Sequence, residues 1–166
     1  MRNLVAFPIL ALAVILQSAV VSRVNLLGGF ADLPLLLVIA WALQENVNTG
    51  WHWALAAGVF TAFISGLPWI VPFLGYISAV FVAQMLQSRI WQAPMLAMLG
   101  VTLIVTLIVH LFFFVILSLT RVPLPVADSF SLITLPSVLL NMLLAIPVFW
   151  FMRDLARWVF PVEEDE

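Results

Sequence analysis

His110 lies in the stretch "VTLIVHLFFF", an imidazole inside one of the most apolar runs of the chain. A histidine there is suited to relaying a proton or contacting a substrate. Ser65 is the hydroxyl that would join it as nucleophile to base. Asp32, Arg121 and Asp128 fall in segments that would form an outer face able to contact a ligand, and Asn141 is the other deep polar group. Each also has a plainer use. No HExxH, GxSxG, paired intramembrane Asp or Gly-rich phosphate loop surrounds these residues. His52 and His110 are the two histidines, on different segments, and cysteine is absent, which removes thiolate nucleophiles, thiolate metal sites and disulfides. The expectation is therefore a protein without catalysis, cofactor or metal. His110 then bonds a backbone carbonyl or a neighbouring helix, with Asn141 as the named partner. Asp32 caps a helix, and Asp154 joins Arg153 and Arg157 in an ion-pair cluster at an interface.

The elements that position these residues follow from the solvent. The chain has 166 residues, 65% hydrophobic and 8% charged. Soluble domains carry about 25% charge, so this much apolar surface implies a bilayer. Apolar segments cover 4–22, 33–43, 50–66, 69–86, 95–119 and 136–160, separated by short polar or Pro/Gly-marked stretches. They predict an all-α bundle of six transmembrane helices in one domain, 1–160, followed by an acidic tail at 161–166. Gly28 and Gly29 mark a turn. The second helix is short for a span, so it begins near Asn25 or the loop before it dips into the interface. Pro123 and Pro125 predict an extended loop over 120–134, and Pro147 predicts a kink in the last helix. Arg2, Arg89, Arg153 and Arg157 fall on the side of the termini and Arg23 and Arg121 on the other, which favours cytoplasmic termini. Trp150 and Trp158, and likewise Trp51 and Trp53, read as interfacial anchors. A net charge of −2 gives no reason to expect nucleic acid.

Gly50, Ala54, Gly58, Ala62 and Gly66 recur every fourth residue through "GWHWALAAGVFTAFISG". In lipid, helices associate by close packing and interhelical hydrogen bonds, and small residues four apart let another backbone approach. The row reads as a packing seam within the bundle or as a groove for a partner's transmembrane helix. It suggests that the third helix is central, with Leu55, Val59, Phe60 and Phe63 on its far side.

The stretch "FADLPLLLVIAWAL…NTGWHWALAAGVFTAFISGLPWIVPFLGYISAVFVAQML" resembles the rod shape-determining MreD family. The shared features are a polar loop before a P-x-L-L-L helix, a Gly-spaced helix ending near "SG", and the following "LG" and "GY" at Leu74–Gly75 and Gly75–Tyr76. Ala62 and Phe63 stand where many members carry an acidic residue. The resemblance implies a non-catalytic scaffold of the cell-elongation complex in the bacterial inner membrane, helping direct peptidoglycan synthesis and rod shape. It implies an MreC-type bitopic partner, with MreB, RodA and its transpeptidase partner as further candidates and a homodimer as an open alternative. The family's fold is similar to the substrate-binding subunits of energy-coupling-factor vitamin transporters, so vitamin capture is the rival expectation. Against it, the first helix has no pair of alanines four apart, and the outer loops are sparse in polar groups.

Overall fold

The structure is a computed structural model that describes residues 2–24, 26–44, 47–66, 68–87, 93–119 and 126–160. Among these it is all-helical, with no strand. The main helices are α1 (Ala6–Ala19), α2 (Leu33–Ala42), α3 (Gly50–Ile64), α4 (Ile70–Gln87), α5 (Pro94–Leu119) and α6 (Leu135–Val159). Four helical stretches are long and apolar enough to cross a membrane: Ala6–Arg23, Ile70–Gln87, Pro94–Leu119 and Phe130–Val159. The helices α2 and α3 are shorter apolar elements. Asn25, Arg89, Arg121 and the acidic 161–166 tail lie outside the described residues.

Packing runs from α1 to α3, α3 to α4, α4 to α5 and α5 to α6, and each of these five helices also touches α2. The helix α2 is therefore the axis of the bundle, and every residue from Pro34 to Ala42 is buried. This corrects the expectation that α3 is central. The α3 helix keeps one face outward, where Leu55, Val59 and Phe63 are exposed, Phe63 by 85%. Both helices are apolar all round or nearly so. Only their neighbours decide which one is surrounded.

The small-residue row of α3 divides along its length. Gly50 packs against Ala42 and Val80, and a Cβ at Gly58 would come within 3.1 Å of the Phe73 ring. Gly50, Ala54 and Gly58 are thus buried against α2 and α4, Ala62 is half-buried, and Gly66 has open space beside it. A similar close approach joins α4 to α5, where a Cβ on Gly75 would lie 2.9 Å from Val109.

Two more expectations change. Trp53 is not an interfacial anchor. It is buried and stacks on Trp41 with ring centroids 4.5 Å apart, and the Trp41 indole Nε1 donates to Thr49 Oγ1 at 2.9 Å. Trp51 does remain exposed. Residues two apart on a helix do not share a face, so the pair had to separate. In the 120–134 segment, Val126–Ser129 form a helical turn and Phe130–Thr134 a π-helical turn that leads straight into α6. No proline lies between Pro125 and Pro136, and Pro136 follows the π-helical turn, where Leu132 O, four residues before it, accepts instead from Gly28 N at 2.8 Å. Trp150 and Trp158 are exposed, the Arg153 guanidinium lies 3.8 Å from the Trp150 ring centroid, and Arg153 Nε is 3.9 Å from Asp154.

Candidate functional site

At about 1.5 Å per residue, the ten residues of α2 rise about 15 Å, half of a bilayer's apolar thickness. Its N-terminus therefore ends inside the bundle, where its free N–H groups have no water to turn to. Side chains from the surrounding helices take them. Gln17 on α1 uses both ends of its amide: Oε1 accepts from Leu33 N at 2.9 Å and Nε2 donates to Ala31 O at 2.7 Å. Asn141 on α6 does the same from the other side. Its Oδ1 accepts from Asp32 N at 2.8 Å and its Nδ2 donates to Thr106 Oγ1 of α5 at 3.0 Å. Asp32 is the N-cap, with Oδ1 accepting from Leu35 N at 2.9 Å. Leu36 N donates to the Asp32 carbonyl at 3.1 Å, and Pro34 has no N–H to satisfy. The first turn of α2 is fully accounted for.

The segment that enters the bundle is shaped to fit. Leu26 and Gly29 exchange two backbone hydrogen bonds, at 3.0 and 2.9 Å, and Leu27 between them adopts φ 57°, a left-handed conformation uncommon for a branched side chain. Gly28 N donates to Leu132 O at 2.8 Å, and Phe30 N donates to Ser137 Oγ at 3.1 Å. At Gly29 a Cβ would fall 2.6 Å from both Ile133 O and Ser137 N, so only glycine permits this approach to α6. The Tyr76 hydroxyl of α4 lies 3.4 Å from Asp32 Oδ1 and 2.9 Å from Thr61 Oγ1 of α3. Every helix of the ring contributes to holding this one segment.

Beyond the N-terminus of α2, where a full-length axis would continue, the ring leaves a partly open cavity of about 600 Å³. Its walls come from the second half of α1, the end of α3, the starts of α4 and α6 and the middle of α5. Asp32, His110 and Asn141 all line it, together with Gln17, Thr61 and Thr106. Asp32 keeps some accessible surface and lines the cavity, and its Oδ1 carries the bonds just described. His110 does not bond Asn141, whose amide is committed to Asp32 and Thr106. Instead His110 Nδ1 and Ser65 Oγ are buried without a partner among the described residues.

The residues singled out from the sequence thus separate. Asp32, His110, Asn141 and Gly66 meet at the cavity. Asp128 is exposed and is not among its lining residues, and Arg121 lies outside the described residues. Gln17, Ser137, Thr61, Thr106 and Tyr76 carry the polar clasp and were not assigned to it from the sequence. The available signal was cost: a polar side chain in an apolar helix needs a partner, and this chain has few to distribute.

Fold and site together define an all-helical bundle, compatible with a multi-pass membrane protein, built around a clasped half-helix with a chamber at its end. Comparison with protein-family models, with curated proteins and with solved structures found no match.

Proposed function

We propose that this protein is a non-catalytic scaffold of the bacterial inner membrane that seats the transmembrane helix of a bitopic partner. In this reading the chain crosses the bilayer six times, the second crossing being completed by the segment that leads into the half-helix α2, with both termini in the cytoplasm, and the complex it serves is the cell-elongation machinery suggested by the MreD-like stretch. One observation carries the reading. The polar side chains that reach inward from the five outer helices are largely spent on holding residues 28–33 in place, while those helices present large apolar side chains outward. A protein of that kind acts on its surroundings through shape. The docking place follows from the division of the α3 row. Its Gly50–Gly58 part is filled from within and Gly66 borders the cavity, whereas the surface around half-buried Ala62, beside the exposed Phe63, turns outward and is the place offered to another helix.

The test separates packing from docking. Ala62→Leu with Phe63→Ala is expected to cut recovery of an MreC-type partner in detergent pull-downs, leaving insertion and thermal stability unchanged. Gly58→Leu is expected to loosen the bundle itself, because it meets Phe73. Undiminished partner recovery with the first pair would remove the docking reading.

A second reading, substrate capture for an energy-coupling-factor transporter, draws on the cavity. Co-purification with paired ATPases would favour it over the scaffold.

A further inference from the structure

The cavity at the end of α2 has a chemical bias that follows from the clasp. A helix N-terminus ordinarily attracts anions through its free N–H groups. Here the first-turn donors are taken by Gln17, Asp32 and Asn141, so none remains for an anion. No arginine is among the lining residues, and the one acidic side chain there is Asp32. That carboxylate has no cation facing it among the described residues, where the recorded ion pair is Arg153–Asp154. Two further polar atoms, Ser65 Oγ and His110 Nδ1, lack partners in the same wall. Most of the remaining surface is aliphatic or aromatic. The chamber therefore offers one carboxylate, a hydroxyl and an imidazole able to donate or accept, and apolar contact elsewhere.

We propose that this cavity binds a small amphipathic amine, with its ammonium head on the Asp32 carboxylate and its apolar body against Val14, Val71 and Phe113. A volume of about 600 Å³ lies within the range of about 300–1,000 Å³ typical of small-molecule sites. The inference rests on the cavity alone and holds for a scaffold or a capture subunit, so its failure leaves the scaffold reading untouched.

Three probes of similar size and different head decide it: 2-phenylethylamine, 2-phenylethanol and 3-phenylpropionate. Each is titrated into the full chain in nanodiscs and followed by saturation-transfer NMR and by the thermal midpoint. The amine is expected to bind about tenfold more tightly than the alcohol, because its hydrogen bond to a carboxylate is charge-assisted, and the acid is expected not to bind. Asp32→Asn should bring the amine down to the level of the alcohol. Ser65→Phe, which fills the chamber without removing a hydrogen bond, should abolish binding of both. Equal affinity for amine and alcohol, tighter binding of the acid, or unchanged binding by Ser65→Phe would each overturn the proposal. If Asp32→Asn does not fold, the three probes on the unaltered chain still decide it.

Discussion

Asn141→Ala removes one side of the clasp, and its cost can be worked from the contacts. Two hydrogen bonds are lost, from Asp32 N and to Thr106 Oγ1. Their consequences differ. Thr106 sits inside α5, and its hydroxyl can turn to a carbonyl one turn back in the helix. Asp32 N–H has no such alternative, because it belongs to a non-helical segment deep in the bundle. Side-chain hydrogen bonds between membrane helices are worth about 0.6 kcal/mol on average and about 1.7 at most. A buried donor left without an acceptor costs about 1–3 kcal/mol. The expected loss is therefore about 2–3 kcal/mol, dominated by the Asp32 N–H. Thr106→Val, which removes only the second bond, should cost about 0.5–1 kcal/mol. The double variant should lose less than the sum of the two, because they share that bond. Reversible unfolding in mixed micelles reads the three values, and amide exchange at Asp32 reads the orphaned donor directly. A loss under about 0.5 kcal/mol for Asn141→Ala, with unchanged exchange at Asp32, would refute the idea that the amide holds the segment.

Gly29→Ala should be the most damaging single methyl. Its Cβ would fall 2.6 Å from backbone atoms of α6, and overpacking of this kind costs about 1–3 kcal/mol or more, read as lost yield of folded protein from detergent. Trp53→Ala should cost about 3 kcal/mol or more by opening a cavity against Trp41, while Trp51→Ala should change stability by under about 0.5 kcal/mol, both read by thermal unfolding.

Local chemistry was legible in the sequence where partners lie close by. Asp32 followed by Leu33 and Pro34 predicts an N-cap, and the structure places the Asp32 carboxylate on Leu35 N. Gly28 and Gly29 predict a turn and form one. The shortness of the second helix was visible too, along with the option that the chain before it dips inward. What could not be read was which helix occupies the axis. Hydropathy measures whether a side chain avoids water, and in a bilayer both lipid and neighbouring helices satisfy that demand. Leu36, surrounded by protein, and Leu55, turned outward, are the same residue type in equally apolar helices. The clasp was hidden for a different reason. Asn141 meets Asp32 across 109 positions of sequence, and no local pattern records such a pairing.

The same shortness explains both features of the site. A full-length axial helix would satisfy its own backbone through the bilayer and would need neither Gln17 nor Asn141. A helix of ten residues leaves N–H groups at depth and an empty half-axis beyond them. The first consequence demands a polar clasp, and the clasp must come from several ring helices, because no single one can reach both sides of the entering chain. The second consequence is the chamber, where the backbone donors of the first turn are already taken and the one charged group is Asp32. The proposed docking at the outer faces and the proposed recognition within the chamber would both follow from that one structural choice. Perturbing the clasp at Asn141 should disturb both, whereas filling the chamber at Ser65 should disturb only the second.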